Sequence, residues 1–404
     1  MVRGRWGPVS AAPSSSRRPW RAALAGLALA GCGPAPQDAV TACQNLGVAE
    51  DATDILFVVD DSGSMYDKQQ DLAQNFGAFI ARLAASPARN AYQIGITTTS
   101  VDRYAQGMFS DTFAATGACP NPPSLGGPYP RGALVSCSGP DIPAARVQST
   151  TLPPRILPAD SPTLVADFTS NVAVGICGSG REQGLEAARL ALSEPALSGP
   201  NAGFLRSGAR LVVILVSDDD DCSDPENTGT SEEPPDCTSY PVSQYLDFFA
   251  KPIGGETKDV FVAGIIAVDP ETLAPAACVE AGTGAQAEHP AYRYKAFIDA
   301  LGSRGLVDSV CNASFEKTLV AVAAQISQVI PLSGAPADPR LLAVGVVHPD
   351  GSRTPCSVKQ EGDPGTADVS YLPPSGSRPP ALLFGGACAL EVGDQLDVKL
   401  LCVG

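Results

Sequence analysis

The sequence predicts an α/β fold, an open and mostly parallel sheet flanked by helices, with a small β-rich domain at its C-terminal end. Three observations carry this prediction. Between Thr53 and about Ile330, short runs of β-branched and apolar residues alternate with segments whose apolar residues recur at helical spacing, the pattern of a buried parallel sheet with crossover helices. The strand runs are nearly continuous in apolar character, as expected when both sheet faces are covered. Beyond a Pro- and Gly-containing stretch from Pro331 to Pro339, the pattern changes to short strands separated by Gly and Pro turns.

The elements follow in order. Strands are predicted at Ile55 to Val59, Tyr92 to Thr97, Leu211 to Val216 and Val260 to Val268, each bounded by turn residues or charges. Helical spacing appears at Leu72, Phe76, Phe79, Ile80 and Leu83, at Leu185, Ala188 and Leu192, and at Val320, Ala323, Ala324, Ile326 and Ile330. These stripes are expected to face the core. From about 103 to 161 the pattern lapses into Pro, Gly and Ser, an insertion on the domain surface rather than a domain of its own. A second acidic, Pro-rich loop, Asp218 to Pro241, follows the third strand. The C-terminal strands are expected at Leu341 to Val347, Val369 to Leu372, Ala381 to Phe384 and Gln395 to Cys402, in a small β-sandwich or sheet cap. The resulting division is a leader at 1–31, a tether at 32–50, the α/β domain at 51–330, a linker at 331–340 and the β domain at 341–404.

The leader has its own logic. Arg17, Arg18 and Arg21 precede an apolar run from Ala22 to Leu29 that is shorter than the roughly 20 residues a bilayer span needs. Leu29-Ala30-Gly31-Cys32 resembles the lipobox of bacterial lipoproteins. The resemblance implies cleavage before Cys32, lipidation of that cysteine, and an exported protein held at the bacterial cell envelope by its N-terminal lipid only. Gly33, where an Asp signals inner-membrane retention in some bacteria, favours the outer membrane. Loss of the five leader arginines takes the formal charge from −16 to −21. An acidic chain without a Lys/Arg cluster repels phosphate backbones, so nucleic acid is excluded as a partner class.

Export makes disulfides the default state of the remaining cysteines. Short separations pair Cys119 with Cys137, Cys222 with Cys237 and Cys278 with Cys311, while Cys356 has either Cys388 or Cys402 within reach. With only His289 and His348 in the chain and no C-x₂-C pair, a zinc knuckle is excluded.

The chemistry gathers at strand ends. The first strand delivers Asp60, Ser62 and Ser64 in D-x-S-x-S spacing, one carboxylate and two hydroxyls that can converge in the turn after it. Such oxygen donors suit Mg²⁺, Mn²⁺ or Ca²⁺. The same residue types also cap helices and build turns, which is the competing reading. The third strand ends at Ser217-Asp218-Asp219-Asp220-Asp221, and in an open parallel sheet ligands bind outside the carboxyl ends of the strands, where these two loops meet.

This pairing of loops resembles the von Willebrand factor type A (VWA) domain and its metal-ion-dependent adhesion site (MIDAS), over roughly residues 51 to 330. The resemblance implies a Rossmann-like sheet, with Ser62 and Ser64 touching the metal and Asp60 and Asp218 acting mostly through waters. A threonine from an intermediate loop completes the family's set. Here counting back from the next helix places Glu182 at that position, with Ser179 the alternative if the register slips. A directly bound Glu182 would tighten the metal and compete with an acidic partner. An exposed first-turn acid favoured by the helix dipole is the other reading of Glu182. Asp219 to Asp221 and Asp224 would either support the site or hold a separate Ca²⁺; neither register of the run supplies both the Gly and the final Glu of an EF-hand.

No G-x-S-x-G elbow, P-loop or Rossmann glycine pattern is present, and both histidines precede prolines. No catalytic residue is therefore assigned. The expectation is a lipid-anchored envelope protein whose VWA-like domain uses a divalent cation, Mg²⁺ first, to bind a protein partner in the envelope or on another cell. The alternatives are a scaffold with no functional metal and a metal-dependent hydrolase. Arg181 alone lies near enough in sequence to serve the latter as a phosphate clamp.

Overall fold

Apolar strands that must hide both faces need helices on both sides, and the chain supplies them. The computed structural model describes residues 42–49, 51–84, 90–101, 131–136, 153–176, 178–224, 237, 241–279, 284, 287, 289–360, 363, 365–376 and 378–401. The leader, Cys32, Cys119, Cys137, Cys177 and Cys402 lie outside these residues. No described helix is long and apolar enough to cross a membrane.

In chain order the elements are β1 (Ala42–Asn45), β2 (Asp51–Val59), a 3₁₀ turn (Gly63–Met65) leading into α1 (Tyr66–Ala84), β3 (Asn90–Thr98), β4 (Ile156–Pro158), α2 (Leu164–Val172), α3 (Gly184–Ala191), β5 (Arg210–Val216) and α4 (Ser243–Ala250). They continue with β6 (Val260–Ile266), α5 (Tyr292–Ala300), β7 (Gly305–Ser309), α6 (Glu316–Ser327), β8 (Val329–Pro331), β9 (Leu342–Val347), β10 (Arg353–Cys356), β11 (Val358–Gln360), β12 (Val369–Leu372), β13 (Ala381–Phe384) and β14 (Gln395–Leu401).

The main sheet has the order β4-β3-β2-β5-β6-β7. Only β4 is antiparallel to its neighbour. Every residue of β5 and β6 is buried, which matches their unbroken apolar sequences. Phe57, Ile214 and Ala263 stand in register on one face. From that face Phe57 meets Phe79 of α1 and Phe168 of α2 edge-on, and Phe168 stacks on Phe76 with centroids 3.5 Å apart. On the opposite face Gly264 passes under Ile298 of α5, whose side chain would collide with any Cβ there. Helices α1, α2 and α6 thus pack together on one side, and α3, α4 and α5 on the other.

β2 begins earlier than its apolar run, at Asp51, because the ladder with β3 continues through polar residues. Thr53 and Asp54 are both fully buried there. Asp54 is satisfied by Arg206, whose backbone N–H and Nε donate to it at 2.8 and 2.7 Å.

The β-rich part is larger than the 341–404 expected. Two four-stranded sheets, β1-β14-β9-β10 and β11-β12-β13-β8, enclose a second core that includes Leu46, Ile330, Val346, Tyr371 and Phe384. Residues 42–45, read as tether, form a strand on β14, and 329–331, read as helix and linker, form a strand on β13. Ile330 therefore ends the helical stripe in sequence only: α6 stops at Ser327, and the three residues of β8 are all buried, with Ile330 in the second core. Such a short strand leaves no alternation to read. The β-rich part is stitched to the helices through Leu390, whose N–H donates to Gln328 Oε1 and whose carbonyl accepts from Gln328 Nε2 and Arg82 Nη2.

Among the described residues three disulfides are formed: Cys222–Cys237, Cys278–Cys311 and Cys356–Cys388. The last settles the choice left to Cys356. It ties β10 to the turn at Gly386–Cys388, and the first pins the acidic loop after β5.

Candidate metal site

The parallel strands run in the spatial order β3-β2-β5-β6-β7, so the connection direction reverses between β2 and β5. This is the switch point at which open α/β sheets bind ligands. Val59 and Val216 are register partners, and Asp60 N–H extends the ladder to Val216 O at 2.9 Å. The residues following each strand are thereby forced side by side.

Asp60, fully buried, is oriented from two sides. Its Oδ1 accepts from Ser62 N–H at 2.8 Å and its Oδ2 from Ser217 Oγ at 2.6 Å. Burial and the neighbouring Asp218 charge hold its carboxyl well above the usual range. Ser64 Oγ donates to Asp218 Oδ1 at 2.9 Å, and the hydroxyls of Ser62 and Ser64 lie 3.3 Å apart. Although Ser62 occupies the N-cap position of the 3₁₀ turn, its side chain makes no capping hydrogen bond. The helix-cap reading of the motif therefore fails at this residue. Asp60, Ser62, Ser64 and Asp218 come together as the sequence indicated.

The loop that carries Glu182 is docked on the same sheet edge. Gly178 N–H donates to Asp61 O at 2.6 Å, Ser179 N–H to Ser100 Oγ at 2.8 Å and Gln183 N–H to Thr99 O at 3.2 Å. Gly178 is required by this approach, since a Cβ there would stand 2.3 Å from Asp61 Cγ. Glu182 is 1% exposed, which rules out the solvent-facing first-turn acid. Burial pushes the Tyr294 hydroxyl far up, and the charges of Asp221, Asp60, Glu182 and Asp220 add to it in that order. Ser179 serves its own turn, its Oγ accepting from Arg181 N–H at 3.1 Å. Among the described residues no three His, Cys, Asp or Glu side chains form a metal-holding group. Asp60, Asp218 and Glu182 are thus not a three-carboxylate centre, and an ion here needs the serine hydroxyls and water.

The donor set fits such an ion. Adjacent ligands of a six-coordinate cation with bonds of about 2.1 Å stand about 3.0 Å apart, and the 3.3 and 2.9 Å spacings of Ser62, Ser64 and Asp218 bracket that value.

Three contributors escaped the sequence reading. Lys68, 1% exposed and in the first turn of α1, reaches back so that Nζ lies 3.6 Å from Asp218 Oδ2 and 3.4 Å from Ser64 O. Its place four residues after Ser64, on the same helical face, was the available signal. Gln69 donates to Asp60 O and Gly175 O at 3.0 and 2.7 Å and accepts from Gly175 N–H, binding α1 to both loops. Ser100 Oγ donates to Asp61 Oδ1 at 2.7 Å, and burial pushes the Asp61 carboxyl up to about 6.

The acidic run after Asp218 is committed to the protein. Asp219 faces His289 Nδ1 at 2.8 Å, which places that histidine at the rim. Asp220 accepts from Arg293 N–H at 2.8 Å, and burial pushes its carboxyl up to about 6. Asp221 takes Leu185 N–H and Ser223 Oγ on Oδ1 and the Arg293 guanidinium on Oδ2. Arg181 is buried, with its guanidinium against Asp224 and Cys222 O. The supporting role proposed for these acids fits these contacts better than a separate Ca²⁺ site. His348, in the β-rich part, bridges Asp394 and Thr354 at 2.9 Å each.

No family model matches the chain, and no curated protein is similar enough to count as a relative. Solved structures do match. Proximal thread matrix protein 1 of the mussel byssus is 13% identical with a TM-score of 0.36, over 70% of this chain and 50% of that one. A von Willebrand factor type A structure from Catenulispora acidiphila is 13% identical with a TM-score of 0.32, over 88% and 58%. The pilus adhesin SpaC of Lactobacillus rhamnosus GG, in an open conformation, is 11% identical with a TM-score of 0.36, over 88% and 39%. The chain thus spans less than two thirds of each. At these scores the likeness carries no functional argument, and the site is read from its own geometry.

Proposed function

We propose that the crevice between the ends of β2 and β5 holds a divalent cation, Mg²⁺ first and Mn²⁺ or Ca²⁺ as substitutes, and presents it to a protein partner. Ser62 and Ser64 would hold the ion through their hydroxyls. Asp218 would share it, directly or through water, and Asp60 would orient the turn and hold water. The single observation behind this reading is the convergence of both hydroxyls and Asp218 within hydrogen-bonding distance, with Ser62 left out of helix capping. When bound, the ion supplies a Lewis-acidic position for an oxygen ligand of the partner.

Glu182, buried beside the same edge, would stabilise the ion electrostatically. Binding fits better than phosphoryl transfer, since Arg181 is ion-paired with Asp224 and Lys68 with Asp218. Lipid anchoring through Cys32 would place the domain at the surface of the envelope, outer membrane preferred, where its partner is another envelope protein or a protein of a neighbouring cell.

The test is a thermal melt of the protein after EDTA treatment, with and without Mg²⁺, Mn²⁺ or Ca²⁺. The wild type should melt higher with cation, and Ser62→Ala and Ser64→Ala should lose that shift, Ser64→Ala from a lower starting point in EDTA because it also removes the hydrogen bond to buried Asp218. Absence of any cation effect on the wild type would remove the ion from the account.

A further inference from the structure

We infer that Lys68 is a tethered competitor of the cation, a built-in ammonium that holds Asp218 and makes the site load only at higher cation concentration. The inference rests on the cation reading of the same site and adds a regulating residue to it.

The observations are geometric. Lys68 is 1% exposed, and its Nζ stands 3.6 Å from Asp218 Oδ2 while Asp218 Oδ1 accepts from Ser64 Oγ at 2.9 Å. One carboxylate therefore faces the buried ammonium with one oxygen and the serine pair with the other. The side chain cannot swing away without cost, because its stem is packed within the first turn of α1 and its Nζ also donates to Ser64 O at 3.4 Å. Lys68 is thus fixed by the same two residues that would share the ion.

Two consequences follow from charge. Asp60 and Asp218 are fully buried carboxylates that follow the paired ends of β2 and β5, with Ser217, the residue before Asp218, donating to Asp60 Oδ2 at 2.6 Å, so two like charges meet there. A lone pair of buried acids is costly, and the ammonium offsets that repulsion, so the strand ends stay assembled without an ion. Conversely, a divalent cation on Ser64 and Asp218 meets a like charge a few ångströms away in a poorly solvated place, where repulsion is much stronger than in water. The lysine therefore stabilises the ion-free site and weakens ion binding by the same interaction. A site loaded beside Lys68 also carries one more positive charge than the same site without it, which strengthens its pull on an anionic oxygen ligand.

Direct titration of Mn²⁺ into the full chain, by calorimetry or by the loss of free-Mn²⁺ electron paramagnetic signal, tests this. Lys68→Met removes the charge and keeps the stem, Lys68→Gln keeps a donor for Ser64 O, and Lys68→Arg keeps the charge. The neutral variants should bind Mn²⁺ about tenfold or more tightly than the wild type. In EDTA they should melt lower, and saturating Mn²⁺ should close the gap. Lys68→Arg should bind as the wild type does. Equal or weaker Mn²⁺ binding in the neutral variants, with the wild type still binding, would overturn the role of Lys68 and leave the ion site standing. Absence of Mn²⁺ binding in wild type and neutral variants alike would overturn both. If one neutral variant fails to fold, the other decides.

Discussion

Replacing Arg293 by methionine removes the ion pair that locks the acidic loop to α5, together with a longer bond from Nη2 to Ser223 O at 3.4 Å. Arg293 is 6% exposed, and its Nε and Nη2 donate to Asp221 Oδ2 at 3.3 and 3.1 Å. Its backbone N–H on Asp220 survives the substitution, as do the Leu185 N–H and Ser223 Oγ bonds to Asp221 Oδ1. The substitution thus leaves a fully buried carboxylate with half of its partners. Removing one member of a buried pair costs about 3–5 kcal/mol. A ceiling exists, because Asp221 can instead take a proton: from its ordinary value of 3.8, neutralisation at pH 7 costs about 4 kcal/mol and at pH 5 about 1.6 kcal/mol. Burial already raises this carboxyl, with Arg293 the main group opposing the rise. The expected loss is therefore about 3 kcal/mol at pH 7 and about 1.5 kcal/mol or less at pH 5, read from urea unfolding followed by circular dichroism. With an m-value of about 3 kcal/mol/M the midpoint at pH 7 falls by about 1 M. Adding Asp221→Asn should recover much of the loss. A loss below about 1 kcal/mol at pH 7, or an equal loss at both pH values, would refute the reasoning.

Two further outcomes follow from the same structure. Phe168→Ala removes a fully buried ring stacked on Phe76 and edge-on to Phe57, and should cost about 3–5 kcal/mol in urea unfolding without altering cation affinity. In EDTA, stability should rise as pH falls from 7 to 5. Burial pushes Asp61 and Asp220 up to about 6 while unfolded carboxyls titrate near 3.8, so their protonated forms favour the native state below 3.8, and this is lost as pH rises through 6. Asp220→Asn should flatten that rise by about 1 kcal/mol between pH 6 and 5.

The central sheet was legible because its strands are apolar on both faces: β2, β3 and β5 each contain the predicted run, and β6 fills the predicted run from Val260 as far as Ile266. What stayed hidden lacked a period. β8 has three residues, β1 is paired only because β14 reaches it, and β7 is a partly buried edge strand whose Gly305-Leu306-Val307-Asp308-Ser309 reads as a turn. At the site, Asp60, Ser62, Ser64 and Asp218 were legible from strand-end position alone. Lys68, Gln69 and Ser100 were not, because a polar residue in a helix or loop reads as solvent-facing unless its buried partner is known. Glu182 shows the same limit: its place on the sheet edge was readable, while its burial depends on Gly178 packing against Asp61.

The most direct test of the cation site is a crystal of the protein grown with Mn²⁺ and measured for anomalous scattering. The account predicts one strong peak in contact with both Ser62 Oγ and Ser64 Oγ and beside Asp218, at bonding distances of about 2.1–2.2 Å from the hydroxyls. No peak there at millimolar Mn²⁺, with Lys68 Nζ still against Asp218 in the wild type and the same result in Lys68→Met, would contradict it.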